Sequence, residues 1–105
     1  VDDDDAVRNA LKFSLQLEGL DVHAYPAGAA LLAEADVPER ACLVIDQHMP
    51  GLDGLALVAR LAERGIRRPT LLITGKATAE LRRRAEGAGV IDVLSDLFIL
   101  RGVPA

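Results

Sequence analysis

The spacing of apolar positions divides the chain into helical and extended stretches. From Ala6 to Glu18, Val7, Ala10, Leu11, Leu15 and Leu17 recur near helical spacing, Gly19 stops the run, and Asp4 or Asp5 suits its N-cap. Leu20 to Tyr25 alternates loosely and reads as a short strand, with Val22 and Ala24 inward and His23 facing out. Pro26 and Gly28 mark a turn into a second helix, Ala29 to Ala35. ACLVI after Pro38 and TLLIT at 70 to 74 are continuous apolar runs, the pattern of strands covered on both faces. Between them, Asp53-Gly54 opens a helix through Arg64 that Gly65 closes. Residues 78 to 86 predict a further helix whose stripe is only Ala79, Leu81 and Ala85, so it is expected to be the least firmly held. Ile91 to Leu94 is the last predicted strand.

Strands and helices in alternation, joined by short connections, predict an α/β domain with a parallel sheet. Ligands of such sheets gather at the carboxyl ends of the strands. That rule brings together the first acids, Asp46 and Thr74. Asp46 is the odd position, because an apolar run stops on a carboxylate, which is costly at the edge of a core unless it is paired. Two or three carboxylates around one point, with a hydroxyl and no histidine or cysteine ligand, suit a hard cation such as Mg²⁺. Carboxylate, cation and hydroxyl together point to phosphoryl transfer onto an aspartate. The competing structural reading is that Asp46 and Asp53 cap a loop and the next helix.

Composition narrows the classes. The 105 residues are 50% apolar and 27% charged, which describes one globular domain, 1–105, able to bury a core. A net charge of −4 provides no general pull toward nucleic acid, and the Arg82-Arg83-Arg84 run is most simply a solvated helix face. The single cysteine, Cys42, excludes an internal disulfide, and its apolar setting predicts a buried, inert thiol. Phe13, Tyr25 and Phe98 are too few aromatics for base stacking. No apolar segment approaches the ~20 residues that span a bilayer, and no secretory leader is visible, so a cytoplasmic protein is expected.

Four segments, in order and at fitting separations, resemble the CheY-like receiver domain of response regulators in two-component signalling. VDDDDAVRNALKFSL is similar to the end of the family's first strand, its acid pair and first helix; LVIDQHMPGLDGL to its phosphoacceptor strand and loop. LLITGKAT is similar to its Thr/Ser strand, and GAGVIDVLSDLF to the segment that carries a Lys-Pro-Phe. The resemblance implies a flavodoxin-like fold: a doubly wound, parallel, five-stranded sheet of order 2-1-3-4-5. Strand one and the last helix would be truncated or rearranged, since only Val1 precedes the acids and nine residues follow Asp96, and no output domain is expected in this chain. It further implies that Asp2 and Asp3 bind Mg²⁺ with Asp46 and the backbone carbonyl of His48. Asp46 would accept a phosphoryl group from a sensor histidine kinase or phosphotransfer protein, and the Thr74 hydroxyl would bond a phosphoryl oxygen. Pro50, Gly51 and Asp53-Gly54 would shape the loop. The domain would signal to a downstream protein target, without being an enzyme on other molecules and without direct contact with nucleic acid or membrane.

The pattern breaks where the family carries lysine and proline, because this chain has Asp96 and Leu97. Two unit charges about 4 Å apart interact by roughly 4 kcal/mol at an intermediate dielectric, and here the sign opposes a phosphorylated state. Lys76 is the candidate replacement cation, against the simpler reading of a solvated lysine. Val93 stands where many receivers have a switch aromatic, so aromatic rotation cannot be the signal. Phe98, Ile99 and Leu100 form an apolar tail, from which a homodimer through residues 96–105 is expected. Two readings compete: a working phospho-receiver, and a degenerate receiver serving as a phosphorylation-independent interaction or dimerisation module. An aspartyl-phosphate hydrolase of the dehalogenase type is disfavoured, since it wants a second aspartate where His48 stands.

Overall fold

The two continuous apolar runs become neighbouring strands. β1 (Leu43–Asp46) pairs in parallel with β2 (Thr70–Thr74), which pairs in parallel with β3 (Asp92–Ser95), giving the order β1-β2-β3. The structure, a computed structural model, describes residues 1–34 and 36–95. β2 lies between its partners and buries Thr70, Leu72, Ile73 and Thr74, so both of its faces are covered; that is why TLLIT lacks polar alternation. The register sets Asp46 beside Ile73 and Thr74 beside Ser95, which aligns the carboxyl ends of all three strands.

Helix α3 (Gly54–Glu63) begins where the Asp53 carboxylate accepts the Ala56 N–H at 2.8 Å. It buries Leu55, Leu57 and Leu61 against Ile45 and Leu72 in the core, and it ends at Gly65, whose φ of 75° an L-residue would adopt under strain. Arg64 then donates to the Leu32 carbonyl at 2.6 Å, tying α3 to α2 (Gly28–Leu32). In α4 (Ala79–Gly87) Thr78 caps the Leu81 N–H, and Leu81 and Ala85 are buried, whereas Ala79 is exposed.

Helix α1 (Asp5–Leu17) is capped by Asp4, which accepts from the Ala6 and Val7 amides. Of its apolar stripe only Val7 is fully buried, and Phe13 and Leu17 are 65% and 72% exposed. By burial, therefore, α1 is less covered than α4, the reverse of the sequence expectation.

Three further expectations are corrected. The strand expected over Leu20 to Tyr25 does not form among the described residues; Val22 is half-buried and Ala24 exposed, although His23 does face out. A ladder needs repeated exchange of N–H and C=O groups, and this segment receives one such bond, from Asp2 N–H to the Tyr25 carbonyl at 3.1 Å. On its other side Val1 makes a single rung with β1, donating to the Val44 carbonyl at 2.6 Å and accepting the Asp46 N–H at 2.8 Å. Tyr25, Val1 and β1 thus lie in the lateral order expected of strands 2, 1 and 3, but the sheet has three strands among the described residues, not five. Cys42 is exposed rather than buried, because β1 starts one residue later, at Leu43. Asp96, Leu97 and the predicted dimer segment 96–105 lie outside the described residues. No described helix is long and apolar enough to cross a membrane.

Candidate functional site

The rung between Val1 and β1 decides where the acids sit. With the Asp46 amide bonded to the Val1 carbonyl, the residues following Val1 pass over the carboxyl end of β1. One carboxylate oxygen from each of Asp2, Asp3 and Asp46 then lies within 4.8 Å of the others. Asp2 and Asp46 are buried, and Asp3 is exposed. An Asp2 oxygen also accepts the Asp4 N–H at 2.9 Å, and Arg8 donates to the Asp2 carbonyl at 2.8 Å and pairs with Asp5, so α1 fixes the turn.

This donor set fits Mg²⁺. The ion takes oxygen ligands at about 2.0–2.1 Å, so ligands on opposite sides of its octahedron stand about 4.2 Å apart. Ligands on adjacent vertices stand about 2.9 Å apart, so three carboxylates within 4.8 Å would draw in around the ion with at most one pair on opposite sides. Without a cation they hold like charges together in a partly buried site, which is unfavourable. The structure therefore brings together Asp2, Asp3 and Asp46 as the sequence anticipated.

The other site residues flank this cluster. Thr74 is fully buried at the end of β2, one position beyond the residue that pairs with Asp46. Its hydroxyl accepts the Lys76 N–H at 3.2 Å and faces the Lys76 carbonyl at 3.3 Å, closing a small local turn. The Lys76 side chain is exposed and lines a groove of about 260 Å³ together with Gln47, His48 and Arg84. His48 meets Asp46 through its amide, which donates to the Asp46 carboxylate at 3.3 Å. Asp53, by contrast, takes the helix-capping role.

Gln47 was given no role by sequence reasoning. It is 5% exposed and is held at three points. Its N–H donates to the Ile73 carbonyl at 2.8 Å, its carbonyl accepts the Gly54 N–H at 3.1 Å, and its side-chain oxygen accepts the Leu55 N–H at 2.9 Å. The available signal was a neutral polar residue between the strand-ending Asp46 and the loop, where the start of a helix needs acceptors. Gly54 belongs to the same junction. A Cβ there would stand 2.7 Å from the Asp46 carbonyl oxygen and 3.0 Å from the Gln47 Cα, so only glycine lets α3 approach β1 this closely.

Residues 1–98 match the family profile described as the response regulator receiver domain. Over 99 residues the chain is 40% identical to the transcriptional regulatory protein FixJ of Azorhizobium caulinodans, a match covering 93% of this chain and 46% of that protein. Among solved structures it superposes on the crystal structure of FixJ-N with a TM-score of 0.80 at 28% identity, covering 100% of this chain and 93% of that one. The response regulator StyR gives a TM-score of 0.80 at 34% identity, over 90% of this chain and 48% of that one. These likenesses support the flavodoxin-like receiver fold with its parallel sheet and surrounding helices. The chain spans about half the length of the curated relatives it matches.

Proposed function

The chain belongs to the response-regulator receiver family, and from that membership we propose that Asp46 accepts a phosphoryl group from a sensor histidine kinase or phosphotransfer protein, with Mg²⁺, and signals through protein contacts. The observation that carries this reading is the convergence of Asp2, Asp3 and Asp46 within 4.8 Å at the carboxyl end of the sheet.

In the reaction an Asp46 carboxylate oxygen attacks phosphorus, and the phosphorus–nitrogen bond to the donor histidine breaks. The imidazole nitrogen keeps the electron pair and takes up a proton, and Asp46 becomes an acyl phosphate. Mg²⁺, held by Asp2, Asp3, Asp46 and the His48 carbonyl, would supply neutralisation of the phosphoryl charge. The Thr74 hydroxyl turns its proton from the Lys76 carbonyl to a phosphoryl oxygen. Lys76 supplies the positive charge that the family draws from the position of Asp96. The domain takes part in its own phosphorylation and is not an enzyme for other substrates. It works in the cytoplasm on a downstream protein target, as a homodimer through residues 96–105, without touching nucleic acid or membrane itself.

A second reading is favoured by one observation, the carboxylate of Asp96 in the lysine position. It makes the domain a degenerate receiver, an interaction or dimerisation module independent of phosphorylation. Mass spectrometry after treatment with a small phosphodonor and Mg²⁺ decides between them. The first reading expects one added phosphoryl group in the native chain and none in Asp46→Asn. No addition in the native chain, with addition in Asp96→Lys, establishes the second.

A further inference from the structure

We propose that Gln47 is a positioning residue for the metal site, coupling the first turn of α3 to the carboxylate of Asp46. The proposal rests on the reading of the three aspartates as a Mg²⁺ site. Gln47 lies between Asp46 and His48, and its three hydrogen bonds anchor that stretch to two different elements, β2 through Ile73 and α3 through Gly54 and Leu55.

The side chain adds a third hold to the two backbone bonds. The side-chain bond to Leu55 is buried, spans eight residues, and satisfies one of the N–H groups that a helix leaves unpaired in its first turn. Without that acceptor, a buried donor seeks another partner, and the nearest rearrangement moves α3 relative to the 46–48 turn. Gly54 leaves little slack for such a move, since even a Cβ on it would stand 2.7 Å from the Asp46 carbonyl oxygen and 3.0 Å from the Gln47 Cα. Any shift of α3 is therefore passed to Asp46, whose carboxylate is held in turn by the His48 amide. Mg²⁺ demands near-ideal octahedral geometry, so it registers a displacement that a more permissive cation would absorb.

Calorimetric titration with Mg²⁺ tests this in the intact chain. Gln47→Met, which keeps the length and removes the acceptor, is expected to weaken Mg²⁺ binding roughly tenfold, in the range of losses seen when a supporting partner of a metal ligand is removed. Gln47→Glu, which keeps an oxygen facing Leu55, is expected to retain native affinity. Gln47→Asp, with the same charge but too short a side chain, is expected to stay weak. Thr78→Ala removes a helix cap elsewhere without changing charge and is expected to leave Mg²⁺ affinity unchanged. Native affinity in Gln47→Met, or equal weakening in Thr78→Ala, overturns the proposal. Should Gln47→Met not fold, the native chain gives its own answer: the Leu55 amide resonance is expected to shift with Mg²⁺ and saturate with the calorimetric curve. A Leu55 resonance that does not respond overturns the coupling while leaving the metal site intact. Absence of Mg²⁺ binding by the native chain overturns the coupling and the metal reading together.

Discussion

Gly54 leaves no room for a side chain over the main chain of Asp46: a methyl group on Gly54 would stand 2.7 Å from the Asp46 carbonyl oxygen and 2.8 Å from Leu72 Cδ1. Neither the strand backbone nor a fully buried leucine can easily give way. Gly54→Ala is therefore expected to destabilise the fold by about 1–3 kcal/mol, the usual cost of forcing atoms into a packed core. Denaturant unfolding of the two proteins measures it, and an unchanged midpoint would show that the junction has room to spare.

Asp3 is expected to act with opposite signs in the two metal states. Removing its charge by Asp3→Asn relieves repulsion among three crowded carboxylates, so melting in EDTA should rise. The same change removes a ligand, so the gain in melting temperature on adding Mg²⁺ should shrink. For the native chain a ligand at a hundredfold its Kd is worth about 2.7 kcal/mol. Thermal melts of both proteins with and without Mg²⁺ give the four values needed, and equal Mg²⁺ gains would remove Asp3 from the ligand set.

Lys76→Ala is expected to abolish labelling by a small phosphodonor if Lys76 replaces the family's lysine. Its side chain is exposed, so the fold should be unaffected. Labelling at the native rate would end that role for Lys76.

Burial ranks two apolar substitutions far apart. Leu57 is fully buried, and Leu57→Ala is expected to cost about 2–5 kcal/mol. Phe13 is 65% exposed on α1, and Phe13→Ser is expected to change stability by about 0.5 kcal/mol or less. Chemical denaturation of both variants checks the ranking.

Much of this architecture was legible because its signals are local. The strands at 43 to 46 and 70 to 74, the Asp4 and Asp53 caps and the Gly65 stop each depend on a few adjacent residues. The acid cluster was legible through motif resemblance and the strand-end rule together. Three things were not. The segment at 20 to 25 alternates as a strand should, yet a strand exists only through a neighbour's hydrogen bonds, and here it receives one, from Asp2. Cys42 shared the apolar run of β1, but it precedes the first paired residue and lies exposed. Gln47 was missed because a glutamine has no chemical signature by itself. Its role appears only when Leu55, eight residues on, comes back to meet it.

The closed turn at Thr74 makes the chain its own competitor. The hydroxyl donates to the Lys76 carbonyl and accepts the Lys76 N–H, so an arriving anion, itself an acceptor, must displace the carbonyl, a rival tethered two residues away. Winning that contest would free the Lys76 carbonyl, while the hydroxyl oxygen would still accept the Lys76 N–H. The carbonyl-carbon resonance of Lys76 would thus serve as an internal gauge of whether the Thr74 hydroxyl has been claimed, readable without any label on the phosphoryl group itself.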